Sequence, residues 1–242
     1  NGNELNGNYL HDLRYGIHYM YSYSNTITKN HTKNTRTGYA LMQSKFLTVT
    51  HNRSENDVNY GILMNFITKS TIEDNVIVGV QNQRNSQMKH SKQNYPPEGK
   101  ALFIYNSLYN QIQRNIVADS DMGIHLTAGS EDNTFIGNAF IRNNKQVKYV
   151  STREQDWSHD KLGNYWSDYV GWDMNGDGTG DVAYEPNDGI DRLLWKYPTA
   201  TLLLNSPAIE ILRWVQRQFP VLKSPGIKDS YPLMNLPMEY PQ

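Results

Sequence analysis

Cysteine is absent from this 242-residue chain, which excludes disulfides and thiolate metal sites and leaves the redox compartment open. Charge is also scarce, because 23 Lys and Arg stand against 24 Asp and Glu and charged residues make up only 19%. No basic stripe predicts nucleic acid as a partner. No apolar run approaches the roughly 20 residues that span a bilayer. The length suits one large or two small globular domains.

Asparagine is abundant instead, with 27 residues, of which 22 precede position 145. It belongs to a repeat in which a small residue, alternating apolar positions and an Asn-containing turn follow one another. The small residues are Gly16, Gly38, Gly61, Ala101 and Gly123, the apolar turn residues are Ile27, Val49, Ile72, Ile112 and Phe135, and the turn asparagines are Asn30, Asn52, Asn75, Asn115 and Asn138. The small residues are spaced by 22, 23, 40 and 22 positions. Such a period indicates a solenoid, in which stacked coils share one core.

The alternation within each coil predicts strands. The first and third positions after each small residue are all apolar or aromatic, from Ile17 and Tyr19 to Ile124 and Leu126, as an inward-facing column requires. Asn suits the turns, because it tolerates left-handed dihedrals and can hydrogen-bond to the equivalent Asn in the next coil. The sequence therefore predicts an all-β, right-handed parallel β-helix with coils of about 22 residues. An all-β sandwich would need turns every 8 to 12 residues.

The repeat also predicts a division of the chain. Coils are expected over residues 1–150, and because Asn3, Leu5 and Asn8 repeat the turn, earlier coils are expected to be missing from a processed or truncated product. The interval of 40 predicts a loop projecting between Gln81 and Gly99. Residues 151–242 are predicted to form a C-terminal cap with an Asp-rich loop and one helix. Ser206 and Pro207 begin that helix and Pro220 ends it, and it either covers the open end of the stack or docks another subunit.

Several C-terminal motifs resemble the C-terminal half of the NosD family. They are Asn164-Tyr165-Trp166-Ser167-Asp168-Tyr169, Gly171, Asp173, Asp177-Gly178, Trp195-Lys196-Tyr197-Pro198, Ser206-Pro207-Ala208 and Asp229-Ser230-Tyr231-Pro232-Leu233-Met234. The resemblance implies a periplasmic, non-enzymatic accessory protein in copper-site assembly of nitrous oxide reductase. It implies as partners the membrane subunits of an ABC transporter, the reductase and a copper chaperone. On this basis Ile211, Arg213 and Trp214 of the helix and Met234 of the tail are predicted partner contacts.

The Asp-rich loop is a candidate calcium site. Asp173, Asn175, Asp177, Thr179 and Asp181 place oxygens at alternate positions, with Gly178 in the sixth place, where a calcium loop needs its sharp turn. The pattern departs from an EF-hand because Tyr184 occupies the twelfth position, where a bidentate Glu belongs. An Asx-rich turn held by its own hydrogen bonds accounts for the same residues equally well.

Copper needs softer ligands, and without cysteine only Met and His remain. Met20 and Met42 take the same position in successive coils, beside His18 on the predicted outer face. Met88 and His90 form a second candidate pair on the projecting loop, where the chain could adapt to an incoming donor. Methionine is also an ordinary filler of irregular space, so each cluster has a purely structural interpretation.

The main rival is a polysaccharide-acting or carbohydrate-binding β-helix. Glycoside chemistry needs paired carboxylates, and the outward positions of the predicted strands carry none. Asp119 and Asp121 are the nearest acidic pair, and they share a side with His125 if that stretch is extended. The position of Asp119 is occupied in other coils by Asp12, Asn34 and Asp57, which favour turns. The role that the NosD resemblance implies, a metallation-accessory scaffold, is therefore favoured over an enzyme.

Overall fold

The computed structural model describes residues 1–82, 99–150, 153–187, 206–208, 211–212, 215 and 226–237. The described strands, in chain order, are β1 (Glu4–Asn6), β2 (Tyr9–His11), β3 (Tyr15–Met20), β4 (Thr26–Thr28), β5 (His31–Lys33), β6 (Thr37–Met42), β7 (Thr48–Thr50), β8 (Arg53–Glu55), β9 (Tyr60–Asn65), β10 (Thr71–Glu73), β11 (Val76–Val78), β12 (Lys100–Tyr105), β13 (Gln111–Gln113), β14 (Ile116–Ala118), β15 (Met122–Thr127), β16 (Thr134–Ile136), β17 (Ala139–Ile141), β18 (Lys145–Val150), β19 (Gln155–Asp156), β20 (Tyr165–Trp166) and β21 (Ile227–Lys228).

Three parallel sheets run along the molecule, and each coil contributes one strand to each sheet. Sheet A contains β1, β4, β7, β10, β13 and β16, sheet B contains β2, β5, β8, β11, β14, β17 and β20, and sheet C contains β3, β6, β9, β12, β15 and β18. Equivalent residues pair between coils, as Ile27 does with Val49 and Ile62 with Leu102. This stack of about six turns confirms the parallel β-helix.

The core lies inside the three sheets. The ten alternating positions predicted on sheet C and the five apolar turn residues are all buried. Sheet B adds an inner column that the sequence did not reveal, because two of its members are the polar residues Thr32 and Ser54. Their hydroxyls donate hydrogen bonds of 2.9 and 2.7 Å to the buried carboxylate of Asp57, which also accepts from Thr35. Asp57 is thus an internal acceptor as well as a turn residue.

The turn asparagines form a continuous hydrogen-bonded ladder. The backbone N–H and the side-chain amide of each one donate to Oδ1 of the Asn in the following coil, as Asn30 does to Asn52 at 3.0 Å in both bonds. The ladder members are Asn8, Asn30, Asn52, Asn75, Asn115, Asn138 and Asn164. This confirms the predicted coil-to-coil bonding.

The left-handed backbone falls one place earlier than the sequence analysis expected. At this corner the residue immediately before the ladder asparagine has positive φ, as Lys29 (54°), His51 (56°) and Asp74 (52°) do. The asparagines themselves are needed for their amide groups, which satisfy buried backbone N–H and C=O groups at the corner.

One end of the solenoid is closed by two tryptophans. Trp157 stacks on Phe135 with a ring-centroid distance of 4.0 Å, and Trp166 of β20 stacks on Phe140 at 4.4 Å. Both tryptophans are about 1% exposed. They extend the inner columns of sheets A and B beyond the last complete coil, so the C-terminal region does contain a cap. The division at residue 150 stays a prediction.

The buried carboxylate of Asp229 completes this closure. Its Oδ2 accepts hydrogen bonds from the backbone N–H of Asn164 (2.8 Å), the side-chain amide of Asn164 (3.2 Å) and the indole N–H of Trp166 (2.8 Å). Its Oδ1 accepts from the backbone N–H of Tyr231 at 3.2 Å. Asp229 therefore ties the tail to the last step of the asparagine ladder.

The described residues of the predicted helix are helical. Pro207, Ala208, Ile211, Leu212 and Val215 are helical, directly after Ser206. Ile211 and Leu212 are exposed, so the closure described above rests on the tryptophans and not on these two side chains. Whether the helix docks a subunit stays a prediction. Across the described part of the chain, no helix has the length and apolar character that a membrane crossing requires.

Candidate functional site

The outer face of sheet C places two thioethers side by side. Met20 at the end of β3 and Met42 at the end of β6 are register partners, and neighbouring strands lie about 4.8 Å apart. Met20 is half-exposed and Met42 is partly buried, so both sulfurs lie at the surface side of the sheet. The predicted juxtaposition of these two methionines is confirmed. A pair of thioethers is a donor set that suits Cu(I).

Two further donors lie beside this methionine pair. His18 is exposed on the same face of β3, and its imidazole stacks on Tyr15 at a centroid distance of 5.0 Å. Asn65, the register partner of Met42 in β9, carries a buried Oδ1 for which the described residues provide no hydrogen-bond partner. Sequence reasoning missed Asn65, although it occupies the same position in its coil as Met20 and Met42. Thioethers and imidazole are donor types that suit Cu(I), so Met20, Met42 and His18 are the residues that would hold the ion, and copper binding by them stays a prediction.

A groove of about 290 Å³ opens at the neighbouring corner of the coils. It is lined by Tyr21, Tyr23, Gln43, Ser44, Lys45, Phe66 and Thr68. The ammonium group of Lys45 lies 5.2 Å from the centre of the Tyr23 ring. The groove therefore combines aromatic faces with hydrogen-bonding groups next to the methionine pair.

The second candidate copper cluster cannot be placed. Met88 and His90 lie outside the described residues, as does the predicted loop between Gln81 and Gly99 apart from its two ends. Those ends are held by Asp121, whose Oδ2 accepts from the backbone N–H groups of Asn82 (2.9 Å) and Gly99 (3.0 Å).

The acidic pair considered for sugar chemistry has structural partners. Asp121 closes the base of the loop, and Asp119 forms an ion pair of 2.8 Å with Arg142. Burial, with the charges of Lys100 and Lys148 adding to it, lowers the pKa of His125 to about 3, so its imidazole is neutral near pH 7. Its buried Nδ1 has no hydrogen-bond partner among the described residues. The hydrogen-bond and ion-pair partners described here for Asp119 and Asp121 do not include His125.

The Asp-rich loop uses its oxygens on its own backbone. Asp173 accepts from the N–H groups of Gly176 (2.7 Å) and Gly178 (2.8 Å), and Asp181 accepts from that of Met174 (2.7 Å). Asn175 and Asp177 accept from the backbone two residues further on. Within the described ranges, no group of three His, Cys, Asp or Glu side chains could hold a metal ion. Calcium binding by Asp173, Asn175, Asp177, Thr179 and Asp181 stays a prediction, and this hydrogen-bond pattern favours the Asx-turn interpretation.

The predicted partner contacts are only partly visible. Arg213 and Trp214 lie outside the described residues, while Ile211 is exposed on the helix. Met234 is half-buried, and its backbone N–H donates to the carbonyl of Gly178 in the Asp-rich loop at 3.0 Å. The structure does not bring Ile211 and Met234 into one site through any described contact, so their role stays a prediction.

Together these features define a class of protein: a parallel β-solenoid with an asparagine ladder, a tryptophan-closed end and a thioether pair on one outer face. The family model described as "Periplasmic copper-binding protein (NosD)" matches residues 1–171. The chain therefore belongs to the NosD family, which confirms the resemblance and the predicted periplasmic location.

Two relatives agree with this assignment. A protein of Stutzerimonas stutzeri named "Probable ABC transporter binding protein NosD" is 63% identical over 201 residues, covering 83% of this chain and 45% of that protein. A protein of Pseudomonas aeruginosa with the same name is 62% identical over 200 residues, covering 83% of this chain and 46% of that protein. The chain thus spans about half the length of these relatives.

Proposed function

We propose that this chain acts in copper-site assembly of nitrous oxide reductase, as a non-enzymatic scaffold that docks to an ABC transporter and to the reductase and carries Cu(I). The register of Met20 with Met42, beside His18, is the observation that supports it. The family description as copper-binding and the relatives' names as ABC transporter binding proteins agree with this role. A copper chaperone is the proposed source of the ion.

A periplasmic carrier needs an affinity high enough to hold Cu(I) and a site open enough to release it. Two thioethers and an imidazole on an outer sheet face meet both needs, because sulfur donors hold the soft ion and the exposed face allows a partner to approach. The rigid stack of coils would keep the donors in place, since β6 is held in parallel register by β3 on one side and by β9 on the other, and β3 is held by β6.

The first prediction concerns copper affinity. Replacing Met20 and Met42 together by Leu conserves volume but removes both sulfurs, so the affinity for Cu(I) is expected to fall at least about tenfold. Anaerobic titration against a competing Cu(I) chelator measures this. Met64→Leu is the matched control, because Met64 is buried in the neighbouring coil and cannot reach the ion. Equal affinities for the double variant and the wild type would remove the methionine pair as the site.

The carbohydrate alternative has one specific observation in its favour, the aromatic-lined groove at Tyr21, Tyr23 and Phe66. Aromatic rings with neighbouring polar groups suit sugar rings, but hydrolysis also requires carboxylates near the scissile bond. Among the described lining residues none is acidic. Release of reducing or unsaturated sugars from a panel of polysaccharides would favour this alternative over the scaffold.

A further inference from the structure

The Asp-rich loop carries an exposed apolar patch. Val170, Trp172 and Met174, here called the apolar tip, are 92%, 57% and 85% exposed. Single exposed apolar side chains are common on soluble proteins, but three large ones within five residues form a cluster of the kind that marks interaction surfaces. The copper site proposed above does not use them, and the tryptophan closure does not contact them in any described ring pair.

The backbone that carries the tip is held in place by the acidic side chains of the loop. The carboxylate of Asp181 accepts from the N–H of Met174 at 2.7 Å, while the N–H of Asp181 donates to the carbonyl of Trp172 at 2.8 Å. Asp173, between the two, accepts from Gly176 and Gly178. The oxygens that resemble a cation site therefore hold the backbone from which the apolar side chains project.

The loop is also anchored to the body of the protein. The hydroxyl of Tyr169 donates to the carbonyl of Val182 at 2.5 Å, and its ring passes so close to Gly171 and Gly180 that neither could carry a Cβ. Gly180 donates to the carbonyl of Pro232 at 2.8 Å. A tip held this way loses little conformational entropy when it binds, which favours affinity.

Charge indicates what the tip can bind. Asp173, Asp177 and Asp181 lie in the same loop, and Asp168 accepts a hydrogen bond from Tyr184 at 2.8 Å. The backbone N–H of Thr179 holds the pKa of Asp177 below its ordinary value, with Lys161 as a weaker influence, so Asp177 is ionised near pH 7. An anionic lipid surface would repel these carboxylates. The complementary surface is an apolar pocket with a cationic rim, as occurs at interfaces between proteins.

We propose that the apolar tip inserts into an apolar pocket, rimmed by Lys and Arg, on the periplasmic face of the ABC transporter. This inference rests on the docking role given under the proposed function and assigns that role to a surface. Trp172 is its central contact, because tryptophan in a desolvated pocket commonly dominates binding energy. The acidic loop supplies the surrounding contacts that select the orientation.

The test measures binding of the protein to the purified transporter in nanodiscs by interferometry. Changing Trp172 and Met174 together to Ser is expected to weaken binding at least about tenfold. Raising the salt from 50 to 500 mM is expected to weaken wild-type binding as well, because the rim charges are screened. Tyr9→Ser with Leu13→Ser is the matched control, since both residues are exposed and lie in the first coils. An unchanged near-ultraviolet circular dichroism spectrum checks that the variants are folded. Val170→Ser is a second, milder change of the apolar tip, and it is expected to weaken binding less than the double change.

The outcomes separate this inference from the docking proposal. If the wild type binds and the tip variant binds equally well, the tip assignment is wrong while docking stands. If the wild type does not bind the transporter at all, docking and the tip assignment both fail. Equal binding of the wild type to empty nanodiscs of phosphatidylglycerol and phosphatidylethanolamine would show a lipid surface as the target and overturn the protein pocket. Binding that does not weaken as the salt is raised would contradict the proposed cationic rim of the pocket.

Discussion

Asn115→Ala is expected to lower the free energy of unfolding by about 3 to 6 kcal/mol, because several buried polar groups lose their partners at about 1 to 3 kcal/mol each. Oδ1 of Asn115 accepts from the backbone N–H of Asn75 at 3.1 Å and from its amide at 2.9 Å. Its own amide donates to the carbonyls of Ile72 (2.9 Å) and Gln113 (3.0 Å). Equilibrium unfolding in urea, followed by circular dichroism, measures the change.

The control for this prediction lies two residues away. Gln113→Ala removes a side chain of the same coil whose amide donates to Glu73 at the surface of sheet A, so its cost should stay below about 1 kcal/mol. If Asn115→Ala costs no more than Gln113→Ala, the ladder does not stabilise the solenoid in the way described.

The stability of the closed end is expected to fall as the pH rises from about 4 to about 6. Burial raises the pKa of Asp229 from its ordinary 3.8 to about 6, against the opposing effect of hydrogen bonds from Trp166 and Asn164. A raised pKa means that the folded protein holds this proton more tightly than the unfolded chain. The contribution is therefore complete below pH 3.8 and is lost by the time the pH passes 6, at about 3 kcal/mol in total.

Asp229→Asn isolates this effect, because an amide does not titrate and can still accept from Asn164 and Trp166. The free energy of unfolding of both proteins is measured in urea between pH 4 and pH 7. Relative to the variant, the wild type should lose about 3 kcal/mol of stability across this range. Asp57, whose pKa burial also raises, is present in both proteins and cancels in the difference. Parallel curves for wild type and variant would show that Asp229 does not titrate as described.

The repeated part of the fold was predictable because each coil has the same sequence pattern. Burial at alternate positions and an Asn at the corner recur in register, so the inner columns and the pairing of Met20 with Met42 follow from position alone. The inner column of sheet B was hidden because Thr32 and Ser54 are polar, and their burial is favourable because both hydroxyls donate to the buried carboxylate of Asp57, which comes from the next coil for Thr32.

The closed end was less predictable because its spacing and its partners are irregular. Asn164 follows Asn138 by 26 residues and not 22 or 23, although the sequence Asn164-Tyr165-Trp166 still marks a corner followed by an inward aromatic residue. Its acceptor, Asp229, lies 65 residues further along the chain, a contact that no local pattern encodes. The Asp-rich loop posed a different problem, since the same residue types serve an Asx turn and a calcium site.

The asparagine ladder gives the solenoid a direction. From Asn8 to Asn138, each side-chain amide donates one N–H to Oδ1 of the Asn in the next coil, so these hydrogen bonds all run in one direction, head to tail, as they do in an α-helix. The positive end of this row falls at Asn164, where the next group must accept without donating. The carboxylate of Asp229 does so, and it therefore corresponds to the N-cap of a helix. A row of any number of coils would need one such acceptor, at the same end.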